Sequence, residues 1–493
     1  MHDANSPLPP PSSPPAGRRG AGPGDDDAGV DIGQYGYAQQ LNRTMDIWQL
    51  TAFGLNYMIP IAPAIIFGLL LKGSGGTVAL PYLLAGVAML FTGFAYAVMV
   101  RNFPLAGSVY SYVGRGWNPY LGFIAGWVLT LDYILIPTVT ASSAAAFAQQ
   151  QFPDVPYWLL LSFFSVATGL VNLFGVELMS RLGLWLLLLG ELVVWVSMAV
   201  WGHAVSVHHV GEATLWSMKP FEFSSLGALA GATSLAVFSF LGFDAITTLA
   251  EETRQPRRDI PRAIFWCIGI GTVTMVACGY VGMLVIPDWR NYIGDDNWVN
   301  TTLFQISLKT GGETFGRFFT AGYLVELAVF NVVATAAGAR LLFGMGRDTL
   351  LPKAVFAAVG RRWKTPHWNI CIIVAVEFIL GNLSNIDTLS NLVNYGALFA
   401  FALLNLAVVW LYYVRRQGDI APGSRISPAG RPAGAGHIRF LLLPLVGAVV
   451  IGTVWLSMDR LALMIGTAWL ALGIVYIVLH SRGFRRLPPH LDM

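Results

Sequence analysis

The chain has 493 residues, of which 55% are apolar and only 12% charged, with a formal net charge of +3 and a mean hydropathy of +0.59. A soluble protein of this length carries about twice that charged fraction, so the composition excludes a soluble globular chain. It points to an all-α membrane protein crossing the bilayer many times, each span using roughly 20 apolar residues.

Residues 1–36 are rich in Pro, Gly, Ser and Asp and contain no apolar run. They read as a disordered cytoplasmic tail and, lacking a hydrophobic region, not as a signal peptide. Twelve transmembrane helices are predicted, at 48–71, 78–100, 119–149, 156–175, 182–203, 226–250, 263–286, 315–343, 368–383, 387–414, 438–457 and 460–480. The third and eighth runs exceed what an upright helix needs, which predicts tilt. The segment 417–437 is a Pro/Gly/Arg linker, and 486–493 form a second cytoplasmic tail. Cys267, Cys278 and Cys371 lie in apolar runs without Cys-x-x-Cys spacing and read as packing residues.

With the N-terminus cytoplasmic, 24 of the 30 Lys and Arg residues fall in inside segments, leaving Lys72, Lys219, Arg290, Lys309, Arg317 and Arg460 outside. That asymmetry places both termini in the cytoplasm and favours an even number of spans. Each basic cluster adjoins a span, so the clusters read as topology determinants, with no nucleic-acid partner.

Two spans are interrupted. In the first, Pro60 and Pro63 remove backbone donors and disfavour helix before them. In the sixth, Gly242 and Asp244 interrupt an apolar run at bilayer depth. Broken helices five spans apart point to an inverted-repeat transporter whose site lies between the breaks. Five acids, Asp132, Glu191, Asp244, Glu326 and Glu377, fall at midplane depth by the 1.5 Å rise of a helix, and no Lys or Arg joins them. A charge there is costly unless it is protonated, hydrogen-bonded or paired. A cationic substrate or a transported proton meets that need. Asp244 has two readings, a cap on the second half of the broken helix or a substrate contact. Glu377 reads as structural, Glu191 and Glu326 as functional. Trp127, Tyr133, Phe240 and Phe243 flank the acids in sequence, and aromatic faces attract alkylammonium groups. Gly344-Met345-Gly346 lacks the continuation of a nucleotide motif, so a gradient supplies the energy.

Three stretches carry a family likeness. They are Phe240 to Asp244 with Glu251-Glu252, Pro256 and Ile260 to Ile264; Pro104 to Tyr112 with Gly122 to Trp127; and Gly344 to Asp348 with Pro352. Together they resemble the amino acid–polyamine–organocation permeases over residues 45–485. Within that family, Leu131-Asp132-Tyr133, Phe240 to Asp244 and the run Arg340 to Asp348 are most similar to bacterial putrescine importers. The resemblance implies a leucine-transporter-type fold of five-plus-five inverted repeats, about 45–205 and 224–416, with two extra helices at 438–480. It implies import of putrescine or a related polyamine by proton symport across the bacterial inner membrane, with no cofactor and no enzymatic activity. Partners are then a small amine, protons and the lipid bilayer. The implied substrate contacts are Met58, Ile59, Ala62, Asp132, Tyr133, Phe240, Gly242, Phe243, Asp244 and Glu326. Glu191 is the proton-coupling candidate, and Glu251, Glu252 and Arg262 are inner-gate candidates. A neutral or cationic amino acid permease is the alternative, and a non-transporting amine sensor a further one. The chain departs from the family's amino acid transporters in two places. Prolines replace a Gly-rich break in span one, and Glu191 stands near a position where some members carry Lys.

Overall fold

A computed structural model describes residues 43–58, 62–105, 109–174, 177–347, 351–360, 365–415 and 435–481. The tails, the 417–434 part of the predicted linker, Ile59, Pro60 and Asp348 lie outside the described residues. In chain order the helices are α1 Ile47–Tyr57, α2 Ala62–Ser74, α3 Ala79–Asn102, α4 Val109–Gly116, α5 Pro119–Gln151, α6 Tyr157–Phe174 and α7 Glu177–Val207. There follow α8 Leu226–Ala236, α9 Pro256–Val285, α10 Asp296–Asn300, α11 Thr302–Arg347, α12 Lys353–Phe356, α13 His367–Leu383, α14 Ile386–Val409, α15 Ala435–His437, α16 Leu443–Leu456 and α17 Arg460–His480. Ten helical segments are long and apolar enough to cross a membrane, and α1 with α2 makes an eleventh if the bent pair is one span. The 17-residue α13 is apolar but shorter.

Local chemistry sets the ends. Asp46 caps α1, its carboxylate accepting from the Trp48 and Gln49 amides while Gln49 reaches back to the Asp46 amide; this capping box satisfies donors that the first turn leaves orphaned. Asn118 caps α5, with Pro119 at the first helical position, where a missing N–H costs nothing. Several helices run longer than predicted. α7 spans Glu177–Val207, α9 begins at Pro256, and α11 begins at Thr302, with a break at Gly312 (φ 70°, ψ −172°) that only glycine enters freely.

α5 packs on α14 and α11, α3 on α9, α7 on α11, and α2 on α8. Their shared core includes Tyr82, Tyr96, Phe147, Trp201, Phe243 and Phe401. The periphery is inverted. Phe163 on α6, Leu383 at the end of α13, Leu456 on α16 and Leu479 on α17 are exposed. Hydrocarbon solvates such residues, so their exposure fits a bilayer belt.

Candidate substrate site

The two interruptions meet. α1 and α2 are bent by 50° across the break between Tyr57 and Ala62. The other break follows α8, which tightens into a 3-10 turn at Val237–Phe240, passes Leu241 and Gly242, and resumes as a 3-10 segment at Phe243–Leu249 rather than as α-helix. Gly242 has φ +115°, and a Cβ there would stand 2.5 Å from both the ring and the carbonyl oxygen of Tyr57. Only glycine combines that conformation with that approach. The Tyr57 ring in turn lies edge-on to Phe330 of α11, centroids 6.0 Å apart.

Two carboxyl groups sit at this junction. Asp244 is buried, with Oδ1 accepting from the Gly242 amide at 3.3 Å and Oδ2 from the Tyr96 hydroxyl of α3 at 3.3 Å. The first residue of the 3-10 segment is Phe243, so the cap position belongs to Gly242 and Asp244 instead ties the loop to α3. Asp132 of α5 is equally buried, but its Oδ1 has no hydrogen-bond partner among the described residues. The two carboxylates lie within electrostatic reach of each other and of Tyr57 and Tyr133. Phe243 and Tyr96 pack edge-to-face at 5.8 Å, with Phe401 closing the cluster. Tyr96 was not singled out in the sequence; a hydroxyl in the middle of an apolar span was its only signal.

The other expected residues distribute as follows. Phe240 is fully buried beside the break, and Ala62 opens α2. Met58 is buried with its methyl end toward Gly271 of α9. Trp127, expected near the acids, stacks on Trp469 of α17 at 4.8 Å and exchanges indole-to-carbonyl hydrogen bonds with it; its position on α5 turns it to the periphery. Glu326 lies against Gly190 of α7. Glu191, next in that chain, is half-buried and accepts from the Trp195 indole at 3.0 Å. Glu377 is held by Thr335 (3.1 Å) and Asn331 (3.4 Å). The Glu252 carbonyl accepts from the Thr44 and Met45 amides, and Arg254 N–H donates to the Met45 carbonyl, so the segment after the break grips the start of α1. Arg262 is exposed on α9. Although no base shares the depth of the acids in the sequence, Arg340 of α11 acts electrostatically on Tyr57.

Two cavities have linings that include residues of these elements. One of about 510 Å³ is lined by Lys72, Leu235, Asp296, Asp387 and Asp459 among others. A smaller one, about 140 Å³, is lined by Tyr110, Phe123, Arg340 and Met345. The described ion pairs Lys72–Asp296, Lys219–Glu212, Lys309–Asp288 and Arg317–Glu313 join loop or helix-end residues, none of them a membrane acid.

A bundle of apolar helices with two broken elements meeting around buried polar groups defines a multi-pass membrane transport protein. A sequence profile described as amino acid permease matches residues 45–479, and the chain belongs to that family, whose members are transporters and not enzymes. It is 28% identical to a low-affinity putrescine importer of Escherichia coli, covering 92% of this chain and 97% of the relative. It is 25% identical to a branched-chain amino acid permease of Bacillus subtilis, covering 91% and 95%. It is 27% identical to a vacuolar cationic amino acid transporter of Arabidopsis thaliana, covering 82% and 66%.

Proposed function

We propose that the protein imports putrescine or a related organic amine by proton symport across a bacterial inner membrane, both termini being cytoplasmic. The observation that carries this reading is the pair of buried carboxyl groups, Asp132 and Asp244, between the two breaks, one of them with an unpartnered oxygen. An ammonium supplies the missing donors and charge, and Tyr57, Tyr133 and Phe243 supply aromatic surface for its alkylene chain. Asp132 is the principal ligand; Asp244, Phe240, Gly242, Met58 and Ala62 shape the site. Glu251, Glu252 and Arg262 belong to the inner gate, because the Glu252 carbonyl already fastens that segment to α1.

Helix pairing supports twelve spans in five-plus-five inverted repeats plus two. Counting α1 with α2 as the first span and α13 as the ninth, α5 on α14 joins spans three and ten, and α11 on α7 joins spans eight and five. Exchanging the two halves converts one pair into the other. No cofactor is required, since a proton gradient provides the work.

A second reading, an amino acid permease, is favoured by Arg340 near Tyr57, which suits a carboxylate, and by the names of the relatives. Uptake of labelled putrescine into proteoliposomes under an imposed pH gradient separates the two. Uptake that stops when the gradient is collapsed supports amine symport. Competition by free amino acids but not by diamines supports the second reading, and binding without uptake sinks both.

A further inference from the structure

Three neighbouring helices carry outward-facing apolar stripes that end in arginine. On α3, exposed Val87 and Leu90 and half-buried Phe94 are followed two turns on by exposed Arg101. On α9, exposed Val273 and Trp266 lead back to exposed Arg262, and on α16, Val449, Val446 and Leu442 lead back to exposed Arg439. Spacings of three, four and seven residues keep each arginine on the face of its own stripe.

α3 is the middle member of the three and packs on both α9 and α16. A Cβ at Gly93 of α3 would stand between Ile268 and Ile264 of α9, at 2.8 and 3.1 Å, and one at Gly447 of α16 would stand 2.9 Å from Phe91 of α3. Counted from these rungs at about 1.5 Å per residue, Arg101 and Arg439 reach one level within about 3 Å, and Arg262 lies roughly 6 Å deeper. An arginine stem spans that difference by snorkelling. Side-chain contacts tie the two level arginines together. Asn102, next to Arg101, donates to the Tyr412 hydroxyl at 2.8 Å, the Tyr412 ring stacks on Phe440 at 4.1 Å, and the Arg439 guanidinium lies 5.3 Å from the Phe440 ring. The Tyr413 hydroxyl shares a 2.8 Å hydrogen bond with His437, so consecutive tyrosines after α14 hold the turn that carries Arg439.

None of the described ion pairs involves Arg101, Arg262 or Arg439, and both of the others act electrostatically on Arg101. A bias of positive charge toward one side of the membrane is met by arginine anywhere in the loops. It does not call for three guanidiniums on one outward-facing arc, where like charges repel. An occupant that is anionic at the level of the arginines and apolar below them answers both the charge and the stripes. We infer that Arg101, Arg262 and Arg439 form a headgroup site for one anionic phospholipid, whose acyl chains lie along α3 between α9 and α16. Guanidinium–phosphate hydrogen bonds are charge-assisted and can be bidentate, and basic pockets between helix ends take such headgroups. The bound lipid ties α9, which follows the gate segment, to α3 and α16. The site does not depend on which solute the protein carries; only its place in the cytoplasmic leaflet rests on the proposed orientation.

Native mass spectrometry of the purified full-length chain in detergent micelles, titrated with dioleoylphosphatidylglycerol or dioleoylphosphatidylcholine, tests the site. One phosphatidylglycerol should be retained at concentrations about tenfold below those that phosphatidylcholine needs, and Arg101→Gln and Arg439→Gln should each weaken its retention about fivefold. Arg101→Lys, which keeps the charge, should retain the preference for phosphatidylglycerol. Lys353→Gln, which removes a charge from α12, should leave retention unchanged. Melting curves recorded without lipid separate a misfolded variant from one that has lost binding. Equal retention of the two lipids by the native chain, or a loss in Lys353→Gln as large as in Arg101→Gln, overturns the site. So does displacement of the lipid by glycerol 3-phosphate at equal concentration, because an anion without acyl chains would then suffice.

Discussion

Glu377 and Asp132 are both buried acids on membrane helices, yet the protein treats them oppositely. Around Glu377, α11 offers Thr335 to one oxygen and Asn331 to the other, and Asn331 is itself anchored on Thr168 of α6. Around Asp132, Oδ1 has no donor among the described residues and the neighbouring carboxyl is Asp244. A buried polar group that is fully partnered stabilises the packing of its helices, whereas one left short costs the fold and persists where something else completes it. Glu377 is therefore a ligature between helices, and Asp132 an unfinished coordination shell.

That contrast is open to direct attack. Asp132→Asn should have the largest functional effect: losing a charge-assisted contact of about 2–3 kcal/mol lowers putrescine affinity about hundredfold, with little change in folded yield, as read by binding and by size-exclusion profile. Gly242→Ala comes next. Its φ of +115° and the approach to Tyr57 make any side chain strained, at about 2 kcal/mol, so both thermal stability and uptake should fall. Glu377→Gln should do the reverse of Asp132→Asn, costing about 1–2 kcal/mol of stability while leaving uptake within a few fold; strong loss of uptake at normal stability would erase the distinction.

The smallest effect concerns a loop. Asp288, just beyond the end of α9, is partly buried, which works against its charge, but the Lys309 ammonium at 3.2 Å and the Tyr292 hydroxyl hold its carboxyl below the usual carboxylate range. A carboxyl depressed in the folded state contributes stability above its unfolded pKa and loses it as pH falls through the folded value. Asp288→Asn should therefore flatten the decline in melting temperature below about pH 4, by an amount worth under about 1 kcal/mol, since the pair is exposed.

Hydropathy located the helices because each span must bury or lipidate a continuous apolar run, and the ten segments long and apolar enough to cross a membrane among the described residues each overlap a predicted interval. α9 starts early because Pro256 sits comfortably in a first turn, and α11 starts early because the chain turns at Gly312 and is helical on both sides. The breaks were legible from Pro60, Pro63 and Gly242, residues whose backbone chemistry is local. What sequence position cannot supply is which way a residue at a given depth faces. Glu326 lies against α7, Trp127 turns to α17, and Arg340 of α11 acts electrostatically on Tyr57. Tyr96 escaped notice because its role depends on α3 meeting the broken segment, a contact made across 148 positions of sequence.

Binding of labelled putrescine to the purified full-length native chain, Asp132→Asn and Glu377→Gln, measured side by side at neutral pH, tests the central claim most directly. Saturable binding by the native chain and Glu377→Gln, with about hundredfold weaker binding by a well-folded Asp132→Asn, is the predicted result. Equal binding by all three proteins would contradict it.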